Sequence, residues 1–250
     1  MADEVLSEVR GRVLLITLNR PDARNAVNTP LAQALLAIVE QLDDDKGLTA
    51  GVLTGAGRGF CSGMDLKAFA KDGFPRGFEE VLKRESAKPL ICAIEGFALA
   101  GGLELALTCD LLVAARGAKL GIPEVSVGLF ALGGALLRLP RYLPYGVAME
   151  MALTAQPILA EKAHEYGLVS RVCEPGDAVT CALELAELIS KNAPLAVATS
   201  KQMIRATQGR TEAELWELQA PLGAKVIGSE DAKEGPLAFI QKRAPNWQGK

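Results

Sequence analysis

The stretch Glu95-Gly96-Phe97-Ala98-Leu99-Ala100-Gly101-Gly102-Leu103-Glu104-Leu105 constrains this chain more than any other. Ahead of it, Pro89-Leu90-Ile91-Cys92-Ala93-Ile94 is a compact apolar run of strand length. Behind it, Leu103 to Cys109 reads as a short helix. The turn between them holds three glycines and two alanines, and small residues there let another group come close to the backbone. A helix start offers unpaired N–H groups that suit a negatively charged oxygen. Glu104 places a carboxylate in that helix's first turn, among apolar or small neighbours that bury it. Buried charges are paired, so one reading has Glu104 capping its own helix or meeting an arginine. The sharper reading is a catalytic acid or base with a raised pKa.

Composition narrows the function class. A chain of 250 residues that is 49% hydrophobic can bury a sizeable core. Its net charge of -3 argues against nucleic acid or an acidic membrane surface as the main partner. Cys61, Cys92, Cys109, Cys173 and Cys181 form no CxxC pair and no metal-ligand spacing, which fits buried thiols in a reducing, cytoplasmic setting. His164 is the only histidine and lies in a charged helical segment facing solvent. A His-rich zinc site is therefore excluded, and a Ser-His-Asp site would have to use that one residue. Met1-Ala2-Asp3-Glu4 lacks the basic region and apolar core of a signal peptide, and no run is long enough to span a bilayer.

Alternation over residues 4 to 19, with Gly11 between two runs, predicts a β-hairpin. Thr29-Pro30 reads as a helix start with Thr29 as the cap, and Leu31, Leu35, Ile38, Val39 and Leu42 mark one face. Ala50 to Thr54 and Leu111 to Ala115 read as buried strands. Gly55-Ala56-Gly57-Arg58-Gly59-Phe60 invites a dinucleotide-binding reading, but its third glycine comes one position early. Pro123 reads as a helix blocker that leaves Ile122 extended. Gly133-Gly134 opens a helix through Leu137, and from Pro144 the chain is mainly helical, with one short strand at Leu168 to Val172. Strand, small-residue turn and helix recur from 48 to 140, which implies an α/β core with helix-covered sheets.

At these residues the sequence resembles the crotonase (enoyl-CoA hydratase/isomerase) family. Asn19-Arg20-Pro21 with Asn25-Ala26 looks like the N-terminal signature of that family. Gly59 to Leu66 looks like its CoA and first oxyanion-hole segment, and Gly96 to Leu105 with Cys109-Asp110 like the second. Pro123-Glu124 with Gly133-Gly134 matches a third block, and Asp231 to Gly235 with Phe239, Lys242 and Arg243 the C-terminal one. The resemblance implies an α/β fold, a spiral of ββα units over residues 1–193 carrying an acyl-CoA site, followed by a C-terminal helical trimerisation region over 194–250.

The resemblance also implies a mechanism. The backbone N–H groups of Met64 and Gly101 would form the oxyanion hole for a thioester oxygen, a job that fixed main-chain donors suit. Glu104 would be the base for water and Glu124 the proton donor. Arg24, Cys61, Ser62, Met64, Asp65, Leu66, Lys67, Phe239 and Lys242 would contact substrate or CoA. No separate cofactor or metal is implied, since coenzyme A is part of the substrate. Because both glutamate positions are filled, the best single expectation is an enoyl-CoA hydratase of fatty-acid or related acyl-CoA degradation, assembled as a homotrimer or a dimer of trimers.

Departures and alternatives sharpen this. Ala100 stands where a glycine is common, a mild change by type, and Ile122 where hydratases often carry glutamine. Leu129-Phe130-Ala131-Leu132 replaces a smaller Gly/Pro-rich loop and sets bulky apolar residues beside the inferred acyl site, which speaks against a short-chain substrate. The plain reading of Cys61 and Met64 is core packing, that of Glu124 a turn glutamate paired with Lys119, and that of Lys67 and Lys242 solvation. The competing functions are another crotonase activity (isomerase, substituted acyl-CoA dehydratase or thioester hydrolase) and a catalytically silent CoA-binding paralogue.

Overall fold

The computed structural model describes residues 3–250. Met1 and Ala2, on which part of the leader expectation rests, lie outside the described residues. In chain order the elements are β1 (Val5–Arg10), β2 (Val13–Leu18), α1 (Thr29–Asp44), β3 (Ala50–Gly55), α2 (Leu66–Asp72), α3 (Phe78–Lys83), β4 (Leu90–Ile94), β5 (Phe97–Leu99) and α4 (Gly101–Ala106). There follow β6 (Leu111–Ala115), β7 (Lys119–Gly121), α5 (Ala135–Tyr142), α6 (Tyr145–Thr154), β8 (Ile158–Leu159), α7 (Ala160–Glu165) and β9 (Arg171–Cys173). The last helices are α8 (Ala178–Ser190), α9 (Pro194–Ala206), α10 (Glu212–Ile227) and α11 (Glu230–Ile240).

The predicted hairpin is present as the antiparallel pair β1–β2. From β2 onward the large sheet is parallel, in the order β1-β2-β3-β4-β6-β9. A parallel sheet needs cover on both faces, and the period-2 alternation along the strands divides its residues accordingly. Leu14, Ile16, Cys92 and Ile94 face the main core with α1, α3 and α4. Val13, Leu15, Ile91 and Ala93 face α8, whose Ala178, Ala182 and Ala186 recur every four residues and let that helix lie close.

Two turns of the chain show the ββα unit clearly. β4 joins the large sheet and β5 the small one, then α4 follows; β6 and β7 divide in the same way. An isolated bridge between Cys61 and Ala98 ties the preceding turn to β5. Successive turns are thereby stacked, and the backbone before α2 comes to lie against the start of α4.

Several local expectations need correction. Asn28, not Thr29, caps α1: its Oδ1 accepts from Leu31 N at 3.0 Å, and Thr29 Oγ1 instead accepts from Arg76 N at 3.1 Å. Pro123 does not block a helix; it opens a 3-10 turn, Pro123–Val127, because the first turn needs no proline N–H. Strand β9 begins at Arg171 rather than Leu168, α5 runs past Leu137 to Tyr142, and α11, with Pro236 inside it, went unpredicted.

The C-terminal helices are fastened to the core through Asp110. Its carboxylate accepts from Leu90 N at 2.8 Å and Arg205 Nε at 3.0 Å, and lies 2.7 Å from Lys201 Nζ. Beyond that anchor the helices leave Ile204, Trp216, Ile227, Phe239 and Ile240 exposed. Among the described residues no helix is long and apolar enough to cross a membrane.

Candidate active site

The stacked turns bring the amides of Met64 and Gly101 together. A Cβ added at Gly101 would stand 3.5 Å from Met64 N. Neither amide donates to a backbone carbonyl among the described residues. The backbone that aims them is unusual at two touching points. Gly63 has φ +101, and a Cβ there would lie 2.8 Å from that of Ala100, so only glycine fits. Ala100 itself has φ +50 and ψ -132, a region that non-glycine residues enter only at a cost of about 1–3 kcal/mol. The replacement of a common glycine by Ala100, mild by residue type, is therefore strained by conformation.

Glu104 is buried, at 4% exposure, as its neighbours in sequence imply. It caps neither its own helix nor an arginine. Its Oε1 accepts from Ala135 N at 3.2 Å, at the start of α5. A Cβ at Gly133 would fall 2.4 Å from Oε2, so the loop must be glycine to close over this carboxylate. Arg138 fastens the same loop, with Nη2 donating to Leu82 O at 2.7 Å and Nη1 to Gly133 O at 3.3 Å. Burial pushes the Glu104 pKa up, while the N–H groups of Ala135, Gly133 and Gly134 and the charge of Arg138 pull it back; the net direction is up.

Glu124 stands in the 3-10 turn opened by Pro123, half-buried. Its Oε2 is buried and has no hydrogen-bond partner among the described residues. Burial pushes its pKa up to about 7, opposed by its own backbone N–H and reinforced by the negative charge of Glu104. The surface-lysine pairing considered for Glu124 is absent among the described ion pairs. Glu104, Glu124, Met64, Gly101, Ser62 and Leu66 all line one cavity of about 260 Å³.

Other residues named from the sequence lie elsewhere. Cys61 is fully buried with Sγ 3.1 Å from Asn25 O, and burial pushes its thiol up to about 12. Asp65 caps α2 through Lys67 N and Ala68 N, and its Oδ2 lies 3.1 Å from Arg20 Nη1. Arg24 and Lys67 are exposed beside this segment, Ser62 N donating to Arg24 O at 3.1 Å. Phe239 and Lys242 sit on or just after α11, exposed and outside the cavity. His164 is exposed, as its segment predicts. Among the described residues no group of His, Cys, Asp or Glu could hold a metal ion.

Residue-by-residue reading missed Arg138 and the aromatic wall, and it named Asn25 only as part of a signature, without a role. Asn25 is wholly buried, and its Nδ2 donates to Ala56 O, Gly59 O and Phe60 O, holding the loop that leads to Met64. Phe69, Phe74 and Phe78 line the cavity together with Glu124. A cluster of three phenylalanines among the seven in the chain was the available signal.

A family model described as enoyl-CoA hydratase/isomerase matches residues 8–250. Enoyl-CoA hydratase EchA19 of Mycobacterium tuberculosis is 43% identical over 258 residues, with 99% of this chain and 97% of that protein covered. Carnitinyl-CoA dehydratase of Proteus mirabilis is 37% identical over 264 residues, with both chains covered completely. The crystal structure of enoyl-CoA hydratase EchA1 from Mycobacterium marinum superposes with a TM-score of 0.94 at 50% identity, covering 99% of this chain and 100% of that one.

Proposed function

Since the chain belongs to the enoyl-CoA hydratase/isomerase family, we propose that it is an enoyl-CoA hydratase, adding water across the 2,3 double bond of a trans-2-enoyl-CoA. One observation carries this reading. Two carboxyls with different surroundings share a cavity: Glu104, held by the N–H of Ala135, and Glu124, with a bare buried oxygen and a pKa of about 7. Environments that separate two titrations supply an acid and a base at neutral pH.

In this mechanism the thioester oxygen accepts from the N–H groups of Met64 and Gly101, which stabilise negative charge developing toward an enolate. Ionised Glu104 removes a proton from water as the water oxygen bonds to Cβ. Protonated Glu124 delivers its proton to Cα, and the double bond becomes a 3-hydroxyacyl thioester. Proton exchange with solvent then restores both groups. The chemistry calls for no metal, nicotinamide or flavin.

The wider assignment rests on the family. On the family pattern the exposed Arg24 and Lys67 would meet the CoA phosphates, and the exposed apolar residues of α9, α10 and α11 fit a homotrimer or dimer of trimers. In such an assembly Phe239 and Lys242 would approach the CoA of a neighbouring subunit. Five free cysteines suit a reducing, cytoplasmic compartment.

Two measurements test the reading. A panel of enoyl-CoAs should lose its conjugated absorbance on addition of the enzyme. Calorimetry with acetoacetyl-CoA should show micromolar-range binding that a chelator leaves unchanged. Absence of binding at millimolar ligand would overturn it.

A further inference from the structure

The walls of the cavity say which acyl group it takes. Leu66, Phe69 and Phe74 from the segment around α2 and Val127, Phe130 and Leu132 from the segment after Pro123 all line it. These large apolar side chains are between 37% and 71% exposed, around an open mouth. Isolated apolar residues on a surface need no account, but six around a single cavity mark a binding surface. Among the described residues no Lys, Arg or His lines it, and the charged groups there are Glu104 and Glu124. Ser126 Oγ already donates to Pro123 O at 2.7 Å, so its hydroxyl hydrogen is not free for a ligand carboxylate.

The apolar wall also continues. Phe74, Leu82, Leu132 and Gly133 belong both to this cavity and to a second cleft of about 600 Å³, where Leu137 adds apolar surface beside the charged Glu79, Lys83, Glu85, Arg138 and Arg141. A crotonyl-sized group would leave most of this surface in water. An acyl group carrying a carboxylate within the cavity would face two carboxyls and no cation, and an unpaired charge in such surroundings is costly.

We infer that the substrate's acyl group is bulky, apolar and uncharged near the double bond, a long, branched or ring-bearing 2-enoyl group, and that Phe69, Phe74, Val127, Phe130 and Leu132 select it. The inference rests on the acyl-CoA reading of the Glu104–Glu124 site. It assigns the exposed apolar rim to the substrate rather than to a protein partner, because the rim is continuous with the two carboxyls.

The test separates acyl preference from turnover. Hydration of crotonyl-CoA, a long straight-chain 2-enoyl-CoA, a ring-bearing one and a short 2-enoyl-CoA ending in a carboxylate is compared by kcat/KM. The bulky substrates should exceed crotonyl-CoA by about 10-fold or more. The carboxylate-ended one should fall about 10²-fold or more below its methyl-ended counterpart. Calorimetry with the saturated acyl-CoAs should give the same order of affinity. Leu132→Lys, at an exposed position, should reduce the carboxylate penalty by about 10-fold, as one added cation in the cavity would.

If nothing is hydrated but the saturated thioesters bind in that order, the hydratase reading fails and this inference stands. If crotonyl-CoA is the best substrate and binds as tightly as the bulky thioesters, this inference fails and the hydratase reading stands. A Leu132→Lys variant that loses assembly while keeping wild-type acyl preference would make the rim a subunit contact and overturn the proposal.

Discussion

Glu104 Oε1 accepts the amide hydrogen of Ala135 across 3.2 Å, so the carboxylate that faces the cavity also holds the start of α5. A negative group at a helix N-terminus is stabilised by the unpaired N–H groups there. Glu124 has no such partner for its Oε2. The two glutamates should therefore respond differently to the same substitution.

Glu104→Gln and Glu124→Gln should each cut hydration by about 10²-fold or more, as loss of a general acid or base does. The double variant should fall far less than the product of the two, because both groups act on one water and one thioester. Stability divides them. Glu104→Gln should cost about 1 kcal/mol through the weakened cap on α5, whereas Glu124→Gln should cost nothing or add stability. Steady-state rates with urea titrations of the three variants check both halves, and near-normal turnover in either single variant would sink the mechanism.

The pH dependence follows from Glu124. Its pKa of about 7 lies above the ordinary 4.5 of a glutamate. As proton donor it works below that value, so kcat/KM should decline as pH rises through about 7. The folded chain holds the extra proton between the two values. This group therefore favours the folded state most fully below 4.5, and that contribution is lost as pH climbs through 7. Melting temperatures from pH 5 to 8 should fall less steeply in Glu124→Gln than in the parent.

Arg138 touches the loop, not the cavity. Arg138→Gln removes donors to Leu82 O and Gly133 O and should destabilise by about 1–3 kcal/mol. It should also lower kcat more than it raises KM and move the acid limb of the rate profile upward, because Glu104 loses a nearby positive charge. Arg138→Lys should recover the position of that limb in part. A variant with lost stability and an unmoved limb would mean Arg138 only props the loop.

Ala100→Gly should stabilise the chain by about 1 kcal/mol, since glycine adopts φ +50 and ψ -132 without strain. Turnover should stay near the parent's, because the donors are the backbone N–H groups of Met64 and Gly101. Chemical denaturation measures the gain; a loss of stability would show that the Ala100 methyl group contributes more packing than its backbone costs.

Light scattering should give a mass near a multiple of three chains. Lys242→Ala should raise KM with little change in kcat, more at low salt than at high, as expected for a point charge against phosphate. A monomer whose KM ignores the substitution would remove both the assembly and the role of Lys242.

Much of the site was legible because its parts are local. The strand, the small-residue turn and Glu104 lie within one run from Pro89 to Leu105, and Glu124 follows a proline whose effect on the backbone is strong. Even there the sign could mislead: Pro123 starts a turn of helix where a block to helix was expected. What stayed hidden depends on residues far apart. The partner of Glu104 is 31 positions away at Ala135, and that of Arg20 is 45 away at Asp65. Helix α11 was obscured by Gly235 and Pro236, although Ser229 caps it through Ala232 N. Nor does residue type reveal strain, which is why Ala100 looked harmless.

The paired amides of Met64 and Gly101 have a consequence for any mutational map of this chain. A scan exchanges side chains, and the two donors belong to the main chain. Sensitivity should appear one residue to the side, at Gly63, where φ is +101, and at Gly102, where a Cβ would fall 2.3 Å from Cys61 O. Substitutions at Met64 itself should look tolerated. Ranked by tolerance alone, Met64 would pass for a spacer and its neighbour Gly63 for the active group.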